Sequence, residues 1–140
     1  MGSWLEFNVH DRVSIRVAQQ APTAALMKEM FEPFLADALD HHDLTVTGQM
    51  VPVEGVSYGE HDYRYTEGSL YVEDMNVQIL RDERGFRLNG TRELLTAALP
   101  LVDRIAVTNG AAMIHAATVD YAGHGVCMPA WGGVGKTSTV

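Results

Sequence analysis

The residues with the clearest chemical potential lie near the carboxyl end of the chain, in the segment Ala130–Thr137. Its sequence, AWGGVGKT, fits the phosphate-binding pattern [AG]-x-x-x-x-G-K-[ST]. In such a loop the glycines let backbone N–H groups point at phosphate oxygens, and the lysine reaches the β- and γ-phosphates. The pattern predicts binding of ATP with Mg²⁺. The plainer alternative is a glycine-rich turn that carries a surface lysine.

The predicted nucleotide contacts form one continuous stretch of the sequence. The hydroxyl of Thr137 is expected to ligate the Mg²⁺ ion. The residues expected to contact the nucleotide are Ala130, Trp131, Gly132, Gly133, Val134, Gly135, Lys136, Thr137 and Ser138.

His115 is the candidate for a catalytic side chain outside this loop. Met113–Asp120 and Gly125–Met128 are predicted to be the two strands of a hairpin. If its turn is centred on Ala122-Gly123, His115 faces about position 130, at the mouth of the loop. An imidazole there can hydrogen-bond a phosphate oxygen or orient a catalytic acid. The alternative is a core histidine that bonds a backbone carbonyl.

The order of these segments resembles HPr serine kinase/phosphorylase and its phosphoenolpyruvate-carboxykinase-like relatives. The stretches IHAATVD and AGHGV are similar to that family's His-containing hairpin, which runs directly into the phosphate loop. The resemblance covers Met113–Val140 and implies transfer of the γ-phosphoryl of ATP to a hydroxyl on a protein or a small molecule. It also places His115 near the active site and implies phosphate and Mg²⁺ contacts from Gly132, Gly133, Gly135, Lys136 and Thr137.

The same resemblance bears on what this chain can do alone. In that family the catalytic aspartates lie downstream of the loop, whereas this sequence ends three residues after Thr137. We therefore expect the N-terminal part of a longer kinase, inactive by itself. Two alternatives stay open: a P-loop ATPase or switch without kinase activity, and a non-enzymatic interaction domain whose acidic strands bind a partner.

The upstream segments must position the loop. Alternating apolar residues predict a β-hairpin formed by Trp4–Val9 and Arg12–Val17. Helical spacing predicts a helix over Ala21–Leu39, kinked or ended by Pro33, with its apolar stripe (Leu26, Met27, Met30, Phe31 and Phe34) in the core. Between the two predicted helices, a meander of antiparallel strands is expected at Thr45–Val53, Tyr58–Thr66, Ser69–Glu73 and Asn76–Leu80, with Phe86–Leu88 pairing back.

A second helix is predicted to start at Thr91 and to end at Asn109-Gly110, and Pro100 can break it into two pieces. Together these elements predict an α+β fold. Antiparallel strands and two helices would lead into the first strands and P-loop of an HPr-kinase-like ATPase core. Residues 1–93 would be an acidic, β-rich region, and residues 94–140 would begin the nucleotide-binding core.

Composition narrows the choice of partners and compartment. The net charge of −8 argues against a nucleic-acid binder, which needs a basic face. No apolar run approaches the roughly 18 residues of a membrane span. A single cysteine, Cys127, fits a reducing cytoplasm and is expected to be buried on its strand. A homo-oligomer is compatible with all of these features.

Overall fold

Most of the chain is organised as strands. The structure, a computed structural model, describes residues 3–52, 56–57, 63–91 and 93–129. The helices are α1 (Ala24–Phe31), which continues into a 3₁₀ turn at Glu32–Phe34, and α2 (Leu94–Thr108). The strands are β1 (Trp4–Val9), β2 (Val13–Ala18), β3 (Leu35–Ala36), β4 (Leu44–Thr47), β5 (Val56–Ser57), β6 (Tyr63–Thr66), β7 (Ser69–Val72), β8 (Val77–Asp82), β9 (Gly85–Gly90), β10 (Ala116–Tyr121) and β11 (His124–Pro129).

The first nine strands form one mixed sheet in the order β3-β1-β2-β4-β9-β8-β7-β6-β5, and β10 and β11 form a separate pair. Strand β4 runs parallel to both β2 and β9, while the other neighbours are antiparallel. The predicted fold class is therefore wrong. The described residues build a large mixed sheet with two helices, and no α/β core of the P-loop type is found among them. The parallel pairs join segments far apart in sequence, which local patterns do not reveal.

The centre of the large sheet has one apolar and one polar face, because side chains alternate along each strand. Ile15 pairs with Leu44, and Leu44 pairs with Phe86, so these three lie in one row. Both helices pack on this apolar face. The fully buried side chains of the resulting core include Phe7, Ile15, Val17, Met27, Leu44, Val46, Leu88, Leu94 and Val102. Burying each large apolar side chain stabilises the fold by about 1.5–3 kcal/mol.

Helix α1 is shorter than the predicted helix at both ends. It stops at Phe31, two residues before Pro33, so the prediction that this proline ends or kinks the helix is confirmed. Met27 and Phe31 are buried as expected, whereas Leu26 and Met30 are exposed. The predicted apolar stripe was therefore too wide, because a helix lying on one sheet buries only the side that faces it.

Helix α2 runs without interruption through Pro100, which lies on its exposed side. Solvent can hydrate the carbonyl that loses its partner there, so the helix continues. The residue preceding the helix is Glu93, in a left-handed conformation, and not the predicted Thr91. The predicted end is confirmed, since Asn109 follows the last turn and Gly110 has a φ of 76°.

Strand β4 departs most from the predicted meander. It covers only Leu44–Thr47, and it inserts between β2 and β9 without pairing with the next strand. The strands from β5 to β9 do pair as an antiparallel meander. Leu44, Thr45 and Val46 are all buried, which is expected of a short strand that lies between two longer strands at the centre of a sheet.

Asp43 joins the beginnings of the three parallel strands. The backbone N–H and the hydroxyl of Ser14 in β2 both donate to Asp43 Oδ2, each at 2.8 Å. The carbonyl oxygen of Asp43 accepts from the N–H of Phe86 in β9, also at 2.8 Å. Gly85 has a φ of 134°, and a Cβ there would collide with the Asp43 carbonyl. The close approach of these two backbone segments therefore requires glycine.

These contacts also determine how the Asp43 carboxyl titrates. Burial raises its pKa, but the hydrogen bonds from Ser14 and the contact with His41 outweigh burial and leave the pKa below the ordinary value of 3.8. A carboxyl whose pKa falls on folding stabilises the protein above its unfolded pKa. That contribution is lost as the pH falls through the folded pKa.

None of the described helices combines the length and the apolar character needed to cross a membrane.

We expect Asp43→Asn to lower the free energy of unfolding by about 1–3 kcal/mol at neutral pH, because charged hydrogen bonds are lost. As the pH falls below 3.8 and through the lower folded pKa of Asp43, the wild-type protein loses the same contribution, so the difference between the two proteins should shrink. Denaturant unfolding at neutral pH and at a pH below 3.8 measures this difference in the free energy of unfolding. Asp37→Asn, at an exposed position, serves as the control. Equal stability of Asp43→Asn and wild type at neutral pH would contradict the assignment.

Candidate functional site

The hairpin of β10 and β11 leads the chain to the predicted phosphate loop. Its register pairs Tyr121 with His124 at one end and Ala116 with Pro129 at the other. The turn residues Ala122 and Gly123 both have positive φ, as a tight two-residue hairpin turn requires. The N–H of Gly123 donates to Asp120 Oδ1 at 2.8 Å. The predicted turn and register are confirmed.

His115 immediately precedes β10, at the end of the hairpin where β11 finishes. It lies just outside the strand that was predicted to contain it. Its side chain is exposed and makes no hydrogen bond to another described residue. The alternative of a core histidine bonded to a carbonyl is therefore wrong, and the imidazole is accessible to a ligand.

The loop itself lies outside the described residues. The contacts expected from Ala130, Trp131, Gly132, Gly133, Val134, Gly135, Lys136, Thr137 and Ser138, and the Mg²⁺ ligand expected at Thr137, stay predictions.

The hairpin has no fully buried residue, and its second strand is the more exposed of the two. Of its second strand, β11, only Met128 is even partly buried. Cys127 is exposed, so the prediction that it is buried is wrong. The physical reason is that β10 and β11 form a sheet of their own. An apolar strand sequence does not by itself produce burial, which needs a second layer that the described residues do not provide.

A second cluster of polar residues lies on the open face of the large sheet, and the sequence analysis missed it. Arg16 in β2, Thr45 in β4 and Arg87 in β9 lie side by side in one row, which we call the arginine row. The row borders a cavity of about 380 Å³. The cavity is lined by Arg16, Asp40, His41, His42, Thr45, Asp82, Arg84, Gly85, Phe86 and Arg87.

Two contacts hold the side chain of Arg16 in place within the row. Its Nε donates to the hydroxyl oxygen of Thr45 at 3.0 Å. Its guanidinium lies over the ring of Trp4, 4.8 Å from the ring centre. The second contact is a cation–π interaction, which favours a fixed guanidinium plane.

Only weak signals of this cluster exist in the sequence. Arg16 and Arg87 occupy the polar positions of strands that otherwise alternate with apolar residues, which is also the ordinary pattern of a solvated face. The two residues meet only because β4 inserts between β2 and β9. The cluster therefore depends on how these distant strands pair. The alternation of residues within one strand does not reveal that pairing.

Comparisons of this chain with protein-family models, with curated proteins and with solved structures find no match.

Cys127 is expected to react with a thiol reagent in the native protein at a rate close to that in the unfolded chain, because its side chain is exposed. Timed labelling with and without denaturant, read by mass spectrometry, measures both rates. Cys127→Ser removes the only cysteine and should give no labelling. Labelling that proceeds only after global unfolding would show that the hairpin is covered.

Proposed function

We propose that Ala130–Ser138 binds the phosphates of ATP with Mg²⁺, and that the chain is the nucleotide-binding part of an HPr-kinase-like phosphotransferase. One observation carries the proposal: strand β11 ends at Pro129, and the phosphate-binding pattern begins at the next residue. A strand that feeds directly into a glycine-rich turn is the context in which this motif works. The accessible His115 lies at the same end of the hairpin.

The chemistry of the segment suits a polyphosphate. Consecutive glycines leave room for backbone N–H groups to approach anionic oxygens. Lys136 supplies a positive charge for the β- and γ-phosphates, and the hydroxyl of Thr137 is an oxygen ligand of the type that Mg²⁺ prefers. When bound, Mg²⁺ neutralises negative charge on the phosphates.

In this proposal a hydroxyl oxygen on a protein or a small molecule bonds to the γ-phosphorus of ATP, the bond from that phosphorus to the bridging oxygen breaks, ADP leaves, and the hydroxyl proton passes to solvent. His115 would hydrogen-bond a phosphate oxygen or orient a catalytic acid, since it is exposed at the end of the hairpin where β11 finishes, and the loop follows β11 in the sequence. A cytoplasmic location fits this function, because the single free thiol of Cys127 is stable in a reducing compartment.

Lys136→Ala is expected to weaken binding of MgATP about 10- to 100-fold, because a charge-assisted contact to the phosphates is lost. Isothermal titration calorimetry of wild type and variant measures the change. The chain offers a matched control, since its other lysine, Lys28, is exposed on α1. Lys28→Ala should bind as wild type does. Equal affinity of Lys136→Ala and wild type would rule out the loop as the nucleotide site.

The imidazole signals of His115 are expected to shift in the NMR spectrum when MgATP is added, because the phosphates approach this end of the hairpin. His124, exposed at the turn end of the same hairpin, provides the internal control and should not shift. Lys136→Ala should abolish the His115 shift. Unchanged His115 signals at a saturating MgATP concentration would remove His115 from the site.

A further inference from the structure

We propose that the cavity beside the arginine row is a binding site for a small phosphorylated ligand, recognised by Arg16 and Arg87. The residues that line it lie between Arg16 and Arg87 in the sequence, outside the segment Ala130–Ser138. The site is formed by side chains on the open face of the sheet, opposite the face that the two helices cover. Its volume of about 380 Å³ lies within the usual range for small-molecule sites.

Two carboxylates near this cavity, those of Glu6 and Asp82, already have hydrogen-bond partners. Glu6, the cross-strand neighbour of Arg16, accepts the N–H of Leu39 at 2.7 Å and contacts His42 Nε2 at 3.1 Å. Asp82, which lines the cavity, accepts the backbone N–H of Arg84 at 2.7 Å. Both carboxylates therefore already form hydrogen bonds within the protein.

The arginines differ from these carboxylates. Among the residues that the structure describes, the ion pairs involve histidines, and none involves Arg16, Arg84 or Arg87. Asp40 is the remaining acid of the cavity lining, and it is exposed. Arg16, Arg84 and Arg87 therefore line one cavity without an ion pair, although the chain carries a net charge of −8. An anionic ligand would supply the missing partner.

The positions of Arg16 and Arg87 also suit an anionic ligand. Arg16 and Arg87 flank Thr45 on adjacent strands, so their Cα atoms are about 10 Å apart, which is twice the strand spacing. The bond from Nε to Thr45 leaves the two terminal nitrogens of Arg16, with four N–H donors, for a ligand. Contacts with Trp4 and Thr45 fix that guanidinium before a ligand arrives, which lowers the entropy lost on binding.

The class of anion follows from the number of arginines. One guanidinium can satisfy both oxygens of a carboxylate in a bidentate pair. A phosphate group has further oxygens and a second negative charge, so it can engage Arg16 and Arg87 together. A phosphomonoester or free phosphate is therefore favoured over a carboxylate.

Trp4 reports on this site directly, since it contacts Arg16. The chain has one other tryptophan, Trp131, so Trp131→Phe leaves Trp4 as the only fluorophore of this kind. In this background, methyl phosphate and inorganic phosphate should each change Trp4 fluorescence in a saturable manner. Acetate at the same ionic strength should produce at least tenfold weaker binding. Equal binding of acetate and phosphate, or no saturable change, would overturn the proposal.

Variants separate this site from nonspecific charge effects. Arg87→Gln should weaken phosphate binding at least tenfold, and Arg87→Lys should weaken it less, because it keeps the charge but loses the bidentate geometry. Arg64→Gln is the matched control, since Arg64 is exposed on the same sheet three strands from β9. Melting temperatures of all variants verify that they fold. An equal loss in Arg64→Gln and Arg87→Gln would contradict a specific site.

A final variant distinguishes this site from the proposed nucleotide site. Phosphate binding reported by Trp4 should persist in Lys136→Ala, because that lysine belongs to the loop. Loss of the Trp4 response in Lys136→Ala would assign the bound phosphate to the loop and overturn the proposal made here. Failure of MgATP binding would leave the arginine-row result unchanged.

Discussion

The junction at Asp43 is the constraint on which the arrangement of the large sheet depends. Its carboxylate receives two hydrogen bonds from Ser14, and its carbonyl receives one from Phe86. One residue thereby holds β2, β4 and β9 at their beginnings, where parallel strands have no tight turn to set their register. The glycine at position 85 is the steric counterpart of this junction, since a side chain there would displace the Asp43 carbonyl.

The register set at this junction separates two chemically different faces. Rows of Ile15, Leu44 and Phe86 face the helices, and the alternate row of Arg16, Thr45 and Arg87 faces away from them. A slip of one residue in β4 would turn Leu44 and Val46 to the polar face and Thr45 to the apolar face. The apolar core and the arginine row are therefore two consequences of the same pairing. This explains why a strand of only four residues matters for both stability and the proposed phosphorylated-ligand site.

The hairpin that precedes the phosphate loop is stabilised by different contacts from those of the large sheet. It depends on its own cross-strand pairs and a two-residue turn, with little support from the helices or the large sheet. A two-stranded hairpin in water is only marginally stable. His115 and Cys127 are accessible because no second layer among the described residues covers the hairpin. The proposed nucleotide site thus follows a largely exposed hairpin, and the proposed phosphorylated-ligand site lies on the central strands of the large sheet.

Features that depend on neighbouring residues could be predicted from the sequence. The Ala122-Gly123 turn, the end of α1 before Pro33 and the end of α2 at Asn109-Gly110 all follow from conformational preferences within a few residues. The phosphate-binding pattern at Ala130–Thr137 is equally local, although its contacts lie outside the described residues. Pairings between distant segments could not be predicted, because a strand's alternation of apolar and polar residues is the same whichever strand lies beside it. Tertiary structure alone decided that β4 separates β2 from β9, that Arg16 and Arg87 share a cavity, and that Cys127 is exposed. Each of these outcomes depends on which surfaces come together, and that is a property of the whole packed chain.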